Sequence, residues 1–489
     1  MITMLRACAS CLLSQPMIAA PVVATEATTT EATAATTAAT TAATTAATTA
    51  ATTAATTDRN TRPVTLHEVL SRAASDGSAV LAAQARLSLQ RARRQTARTR
   101  LGPRAELSLG GRYLRGREQA SFGETADVGF GRFDPSVAFV YSANIGAALQ
   151  RLEAGTHLST AAKHDLAAAR LEAMLHTVEA YHDLALSGAA METAAQRVAD
   201  AQRFSSIALA RFEAQVASEA DAVRADVELA RAQQGFIRAE RTWGETSVAL
   251  ASLMRWDPAV RMAPADDLSP PARRSDTVQA TGGEEAERAD SARQQTRAFV
   301  QRPELKAASR RVEGAEHRVR ATTWDIWGPA FFLEVRARLI GPTLDDLGPT
   351  TIAQAMVGWR LGLDSFAQRD VAKAELGVQR ARSASLRIAL AADVERARLR
   401  LDTAQRAMAP ARRALASAER HHTIQLVRFE AGTGLGLEVV EAQQTTAQAR
   451  LDLAAALLLH GLEQLRLLAA LGELEPSAVR GATGPVLAE

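Results

Sequence analysis

Two rhythms run through the chain. In long stretches apolar residues return every three or four positions, and in four short ones they return every second position. The first rhythm is clearest in Leu390, Val394, Ala397, Leu401, Ala404, Met408, Ala411, Leu415 and Ala418, a heptad seam with many small residues. A second limb carries Leu451, Ala455, Leu458, Leu462, Leu465 and Ala469 in the same order. Small seam residues let two limbs approach closely, so this pattern predicts an antiparallel helical hairpin. Pro410 is expected to kink its first limb or break the hydrogen-bond ladder there. An earlier hairpin turns after Ala214, and its first limb, from Gly155, would reach about 90 Å at ~1.5 Å per residue.

The period-two segments predict strands at about 105–115, 137–149, 331–340 and 353–364. In the first, Leu107, Leu109, Gly111 and Tyr113 oppose Glu106, Ser108, Gly110 and Arg112. The second sets Val137, Phe139, Tyr141, Ala143, Ile145, Ala147 and Leu149 against Ser142, Asn144, Gly146 and Gln150. In the third, Phe331, Leu333, Val335, Ala337 and Leu339 oppose Glu334, Arg336 and Arg338. The fourth sets Val357, Trp359, Leu361 and Leu363 against Gln354, Gly358, Arg360 and Asp364. About ten residues with one apolar and one hydrophilic face is what a tilted strand needs to cross a bilayer beside a watery lumen. Four strands cannot close a barrel, and open edges are not tolerated in hydrocarbon. Other copies must complete it: two chains would supply eight strands, three would supply twelve. The hairpin loops, Gly116 to Pro135 and Gly341 to Ile352, would face the exterior.

An internal repeat orders these elements. Ala210-Arg211-Phe212-Glu213-Ala214 matches Val427-Arg428-Phe429-Glu430-Ala431 at an interval of 217 (428 − 211), and Gly102-Pro103 matches Gly328-Pro329 at 226 (329 − 103). The expected organisation is a signal peptide at 1–24, a Thr/Ala-rich disordered tether at 25–62, a first repeat at 63–256, a linker at 257–302, a second repeat at 303–476 and a tail at 477–489. Val22-Val23-Ala24 fits the small-residue rule for cleavage. A lipoprotein signal would need a Cys just after an apolar segment, and Cys8 stands too near Met1.

Composition narrows the function. Lys+Arg of 57 against Asp+Glu of 54 gives a net charge of +3, too small to point to a nucleic-acid partner. Positive charge is almost all Arg, interspersed with Glu and Asp along helices, and reads as a trace of genome base composition. Cys8 and Cys11 leave the body of the chain without a disulfide framework. No run of about 18 apolar residues follows the leader, so membrane contact is expected through strands. No phosphate loop, dinucleotide fingerprint or nucleophile triad appears, so no cofactor and no enzyme activity is expected. His421 and His422 point about 100° apart on a helix, which suits solvated surface and not a shared metal site.

The whole pattern from Thr65 to Pro476 resembles the TolC family of outer-membrane efflux proteins. Leu66 to Ala73 is similar to the family's opening helix, and Arg302-Pro303-Glu304-Leu305 to the start of its second copy. The resemblance implies an α+β membrane protein: long antiparallel helical hairpins forming an α-barrel, and four strands per chain completing a 12-stranded trimeric β-barrel. It implies the exit duct of a tripartite exporter in the outer membrane, tunnelling into the periplasm. The partners would be a periplasmic adaptor and an inner-membrane pump of RND, ABC or MFS type. Two other readings stay open: an outlet for type I protein secretion and a soluble periplasmic coiled-coil scaffold.

The most specific match is Gly432-Thr433 followed by Leu437-Glu438-Val439-Val440-Glu441-Ala442, similar to the family's inner helix turn, where paired acids ring the periplasmic entrance. Glu438 and Glu441 occupy those places, and a spacing of three puts them on one helix face. Asp221 is similar to an acid that latches the closed entrance. The Arg and Tyr expected as its partners are replaced here by Gly434 and Phe429, and Gln215 stands where a turn glycine is usual.

Overall fold

The computed structural model describes residues 61–119, 123–266, 284–341, 343, 345–359 and 362–478. The expected signal peptide, the tether as far as Asn60, the C-terminal tail from Val479, and Arg360 and Leu361 lie outside them.

From Thr61 onward the elements run β1 (Thr61–Val64), α1 (Leu66–Asp76), α2 (Ser78–Thr99), β2 (Arg104–Gln119), β3 (Thr125–Ala143), α3 (Ile145–Glu213) and α4 (Glu219–Met254). The second half continues with β4 (Arg261–Pro264), α5 (Glu284–Gln301), α6 (Pro303–Trp327), β5 (Ala330–Ile340), β6 (Gly348–Gly358), α7 (Leu363–Glu430) and α8 (Gly436–Leu471). Two departures fall outside the repeat. Thr61 and Arg62, assigned to the tether, form β1, which pairs in parallel with β4 inside the expected linker. That linker also holds α5, whose charged composition hid a helix that packs Ala298 beside Val394, Ala397 and Leu471.

Each helix start has a local cause. Thr65 accepts the Glu68 N–H and Asn144 Oδ1 accepts the Ala147 N–H at 3.0 Å, the side-chain caps that free helix ends require. At α6, Pro303 takes the first position, where its missing N–H costs nothing. The heptad seam lies on the buried side of α7, with Leu390, Val394, Ala397, Ala404 and Ala418 inside. Leu462, Leu465 and Ala469 answer from α8. The helix runs on through Pro410, which stands on the exposed side.

α8 is also long and apolar enough to cross a bilayer by length and composition, although scattered polar residues interrupt its apolar run. Its apolar residues serve a core instead. Leu462, Leu465 and Ala469 pack with Leu171, Val178 and Trp243, and Glu463 on the same helix is held by Arg466 at 2.6 Å. Val64, Met262 and Tyr181 belong to this core too. The Tyr181 hydroxyl donates to Val64 O and Asp266 Oδ2, and burial together with the Asp266 charge raises its pKa.

The four long strands form one antiparallel sheet in the order β2-β3-β5-β6. Its limits differ from the sequence reading at the outer end of β2 and at both ends of β3 and β6. β3 stops at Ala143, so Ile145, Ala147 and Leu149 open α3; β6 spans Gly348–Gly358, so Leu363 and Asp364 open α7. Most of the expected first loop is strand, since β2 and β3 stay paired from Arg104↔Val140 out to Gln119↔Thr125. Pro135 leaves its mark on the other side of β3. Without an N–H it cannot donate, and the β3–β5 ladder ends at Ser136↔Arg338, with one further bridge between Phe133 and Gly341.

Candidate functional site

Register fixes which residues share a face of the sheet. Leu107↔Val137, Ala105↔Phe139, Phe139↔Val335 and Leu333↔Ala355 put the apolar set on one side. This side is open: Leu107 is 82% exposed, Leu109 85% and Phe139 56%. Such an apolar face, which gives way to Arg115, Arg117 and Asp127 only at the strand tips, is not stable in water and calls for lipid. Trp324, Trp327 and Trp359, all exposed near the helix end of the sheet, suit the bilayer interface. The opposite face carries Arg104, Glu106, Ser108, Arg112, Arg132, Asp134, Ser136, Glu334, Arg336, Arg338 and Gln354. Toward the helices its members bond one another: Ser108 and Ser136 hydroxyls lie 2.6 Å apart, Arg336 Nε donates to Glu334 at 2.6 Å, and Gln354 donates to the same carboxylate at 2.6 Å.

The joint between sheet and helices is tightly built. Asn144 Nδ2 donates to the carbonyls of Trp324 and Gly328 at 2.6 and 3.0 Å, tying the two repeats together. A Cβ at Gly146 would stand 2.4 Å from the Trp324 ring, so only glycine fits there. Beside it Arg151 pairs with Asp325, whose carboxyl is lifted above its ordinary pKa by burial against the pull of that arginine.

At the far ends of the hairpins the repeat recurs atom for atom. α3 closes with Val216 N–H donating to Arg211 O at 3.0 Å, and α7 with Thr433 N–H donating to Arg428 O at 2.9 Å. The residue before each donor is left-handed, Gln215 at φ 62° and Gly432 at φ 80°. Arg211 spans the two turns, donating to Phe429 O and lying 4.7 Å over the Phe429 ring. Phe429, 2% exposed, packs against Phe204 with ring centres 5.2 Å apart, joined by Val439 and Val440 of α8.

The acids singled out in the sequence stand at the starts of α4 and α8. Asp221 sits at the third position of α4, its N–H bonded to the Ser218 hydroxyl and its carboxylate accepting from that hydroxyl at 2.7 Å. Glu438 is third in α8 and accepts the Leu435 N–H at 3.5 Å. The two are 217 positions apart (438 − 221), so they are one position of the repeat, a correspondence present in the sequence but not drawn from it. Both are half-buried, whereas Glu441 is exposed and makes no ion pair among the described residues. Asp221 pairs with Arg224 at 3.9 Å in its own helix, and Phe429 is core, so neither replaced latch partner is remade. Instead Asp221 abuts the other hairpin: a Cβ at Gly436, first in α8, would meet Asp221 Oδ1 at 3.5 Å.

A model of the outer membrane efflux protein family matches residues 69–254 and 295–473, well over half of the chain. The chain belongs to the outer membrane efflux protein family. As a member it is a non-enzymatic outer-membrane channel protein with its helical part in the periplasm. Family members are trimers that work with adaptors and inner-membrane pumps. No curated protein matches the chain significantly. Solved structures do. The outer membrane protein VceC of Vibrio cholerae superposes with a TM-score of 0.71 at 17% identity, over 83% of this chain and 96% of its own. The CmeC outer membrane channel of Campylobacter jejuni gives 0.70 at 15%, over 84% and 86%. The MtrE outer membrane channel of Neisseria gonorrhoeae, solved in its open state, gives 0.66 at 17%, over 84% and 90%. At these identities the likeness is one of fold.

Proposed function

We propose that three copies of this chain close a twelve-stranded barrel and that their hairpins continue it as a duct through the periplasm. The duct is a passive exit, docked through an adaptor to an inner-membrane pump that supplies the energy. The observation that carries this reading is the sheet itself. It has a lipid-suited face and a polar face, and β2 and β6 have no neighbour on their outer edges among the described residues. Unpaired edges in hydrocarbon cost several kcal/mol per backbone group, so closure with other copies is required. At the periplasmic end Glu438 and Glu441 line the narrowest passage. Threefold symmetry brings six of their carboxylates together, and like charges so crowded attract cations. Asp221, at the repeat-equivalent place, adds a third acid per chain and abuts the first turn of α8 from the other hairpin, in place of the Arg and Tyr pair of the resemblance.

Planar-bilayer recording of the purified protein against Glu438→Ala/Glu441→Ala tests the reading. Discrete pores whose cation preference falls in the double variant are expected. Pores indifferent to the change would move the constriction elsewhere, and a properly inserted wild-type oligomer without pores would sink the duct.

A further inference from the structure

The polar face of the sheet is not uniformly charged along its length. Toward the helices its charges balance, with Arg104 and Arg336 against Glu106 and Glu334. Beyond Ser136↔Arg338 the balance fails. Arg338, Arg132 and Arg112 share the next stretch of that face with one acid, Asp134, and Asp345 and Asp346 in the β5–β6 loop make no ion pair with them among the described residues. Arg132 Nη2 bonds Asp134 Oδ2 at 3.0 Å and Arg338 Nη1 approaches the same oxygen at 3.9 Å. One carboxylate thus serves two guanidiniums, and Arg338 Nε is shielded without a hydrogen-bond partner. Arg112 sits directly across from Arg132 in the register and makes no ion pair among the described residues. Like charges opposed on a sheet destabilise it, and the expected remedy, an acid at one of the two positions, is missing. Glu118, on the same face, stands six residues beyond Arg112, about 20 Å along the strand, too far to neutralise it across salt water.

We propose that Arg112, Arg132 and Arg338 form an anion-selective band in the outer half of the barrel, a specificity filter for solutes bearing carboxylate, phosphate or sulfonate groups. The inference rests on the channel reading, and in a trimer the surplus of two positive charges per chain is repeated three times around one lumen. Guanidiniums are always charged and present forked donors to such oxyanions, so the band binds them weakly in passing and repels cations. It acts in series with the acidic entrance and opposes it in sign.

The test is the reversal potential of single pores in a potassium chloride gradient, wild type against Arg112→Gln/Arg132→Gln. The chloride-to-potassium permeability ratio is expected to fall about threefold or more in the double variant, while Glu438→Gln/Glu441→Gln moves it the other way. Inorganic pyrophosphate should block wild-type pores at lower concentration from the side of the strand tips than from the helical side. An unchanged ratio in a conducting double variant overturns the band and leaves the channel standing. Should that variant fail to insert, equal pyrophosphate block from both sides of the wild type overturns it as well. A wild type that forms no pores overturns the channel reading and the band with it.

Discussion

The two hairpin turns are the same structure built with different residues, which isolates what a single side chain contributes. Gln215 holds the left-handed conformation that Gly432 holds in the second repeat. A Cβ in that region crowds the following carbonyl by about 1–2 kcal/mol. Gln215→Gly is therefore expected to stabilise the protein by about 1 kcal/mol and Gly432→Gln to destabilise it by a similar amount. Thermal unfolding of the detergent-solubilised protein reads both, and a Gln215→Gly variant no more stable than wild type would mean the turn is not strained. This residue was legible as an oddity because a glycine is usual there. Glu438 and Glu441 were legible through the motif around them. What escaped the sequence was the pairing of Asp221 with Glu438. It follows from the 217-residue offset already visible in the Arg-Phe-Glu-Ala anchors, but an acid at a helix start attracts little notice when helix starts favour acids generally.

At the scale of elements, the helices could be read because their seams are long, and strand ends could not because two periods coincide there. Ile145 and Leu149 continue the alternation of β3, yet they are also four apart and fit a helix face equally well; the Asn144 cap decides between them. Conversely Gly129, Gly131, Asp134 and Pro135 look like a turn, but cross-strand pairing with β2 carries the strand straight through them. Helix faces also conceal titration. His460 of α8 is 8% exposed, its Nδ1 shielded without a partner and its Nε2 3.4 Å from Gln464, and burial lowers its pKa. His422 of α7 is half-buried and not the fully solvated residue expected from sequence. Its pKa is likewise lowered by burial, against the pull of Asp200 and with help from Arg450 and Arg203. A histidine whose folded pKa lies below its unfolded value of ~6.5 contributes no penalty above that value and destabilises as pH falls through it, because the unfolded chain takes up the proton first. The melting temperature is thus expected to drop between pH 7.5 and 5, and His460→Gln to recover part of the drop. An acid sensitivity identical in His460→Gln would assign it to other groups.

For the molecule as a whole, the decisive property is that one sheet separates two solvents, and parity along each strand says which residue meets which. Leu109 and Ser108 are neighbours in β2, but Leu109 is on the open apolar face and Ser108 bonds Ser136 on the polar one. A soluble half-buried sheet would bury the apolar side and would tolerate charge poorly there but well on the other. A membrane barrel makes the same ranking with a different readout, since the cost appears at insertion. An arginine on the lipid side costs about 2–4 kcal/mol near the bilayer midplane, whereas on the lumen side it adds only like-charge crowding, under about 1 kcal/mol. Leu109→Arg is expected to reduce the amount of assembled oligomer in the outer-membrane fraction several-fold, with Ser108→Arg close to wild type. Both would be measured by fractionation and by resistance of the oligomer to dissociation in unheated detergent. Equal loss in the two variants would mean that both faces are packed against protein. Loss in Ser108→Arg alone would exchange the lipid and lumen faces and, with them, the place of the arginine band.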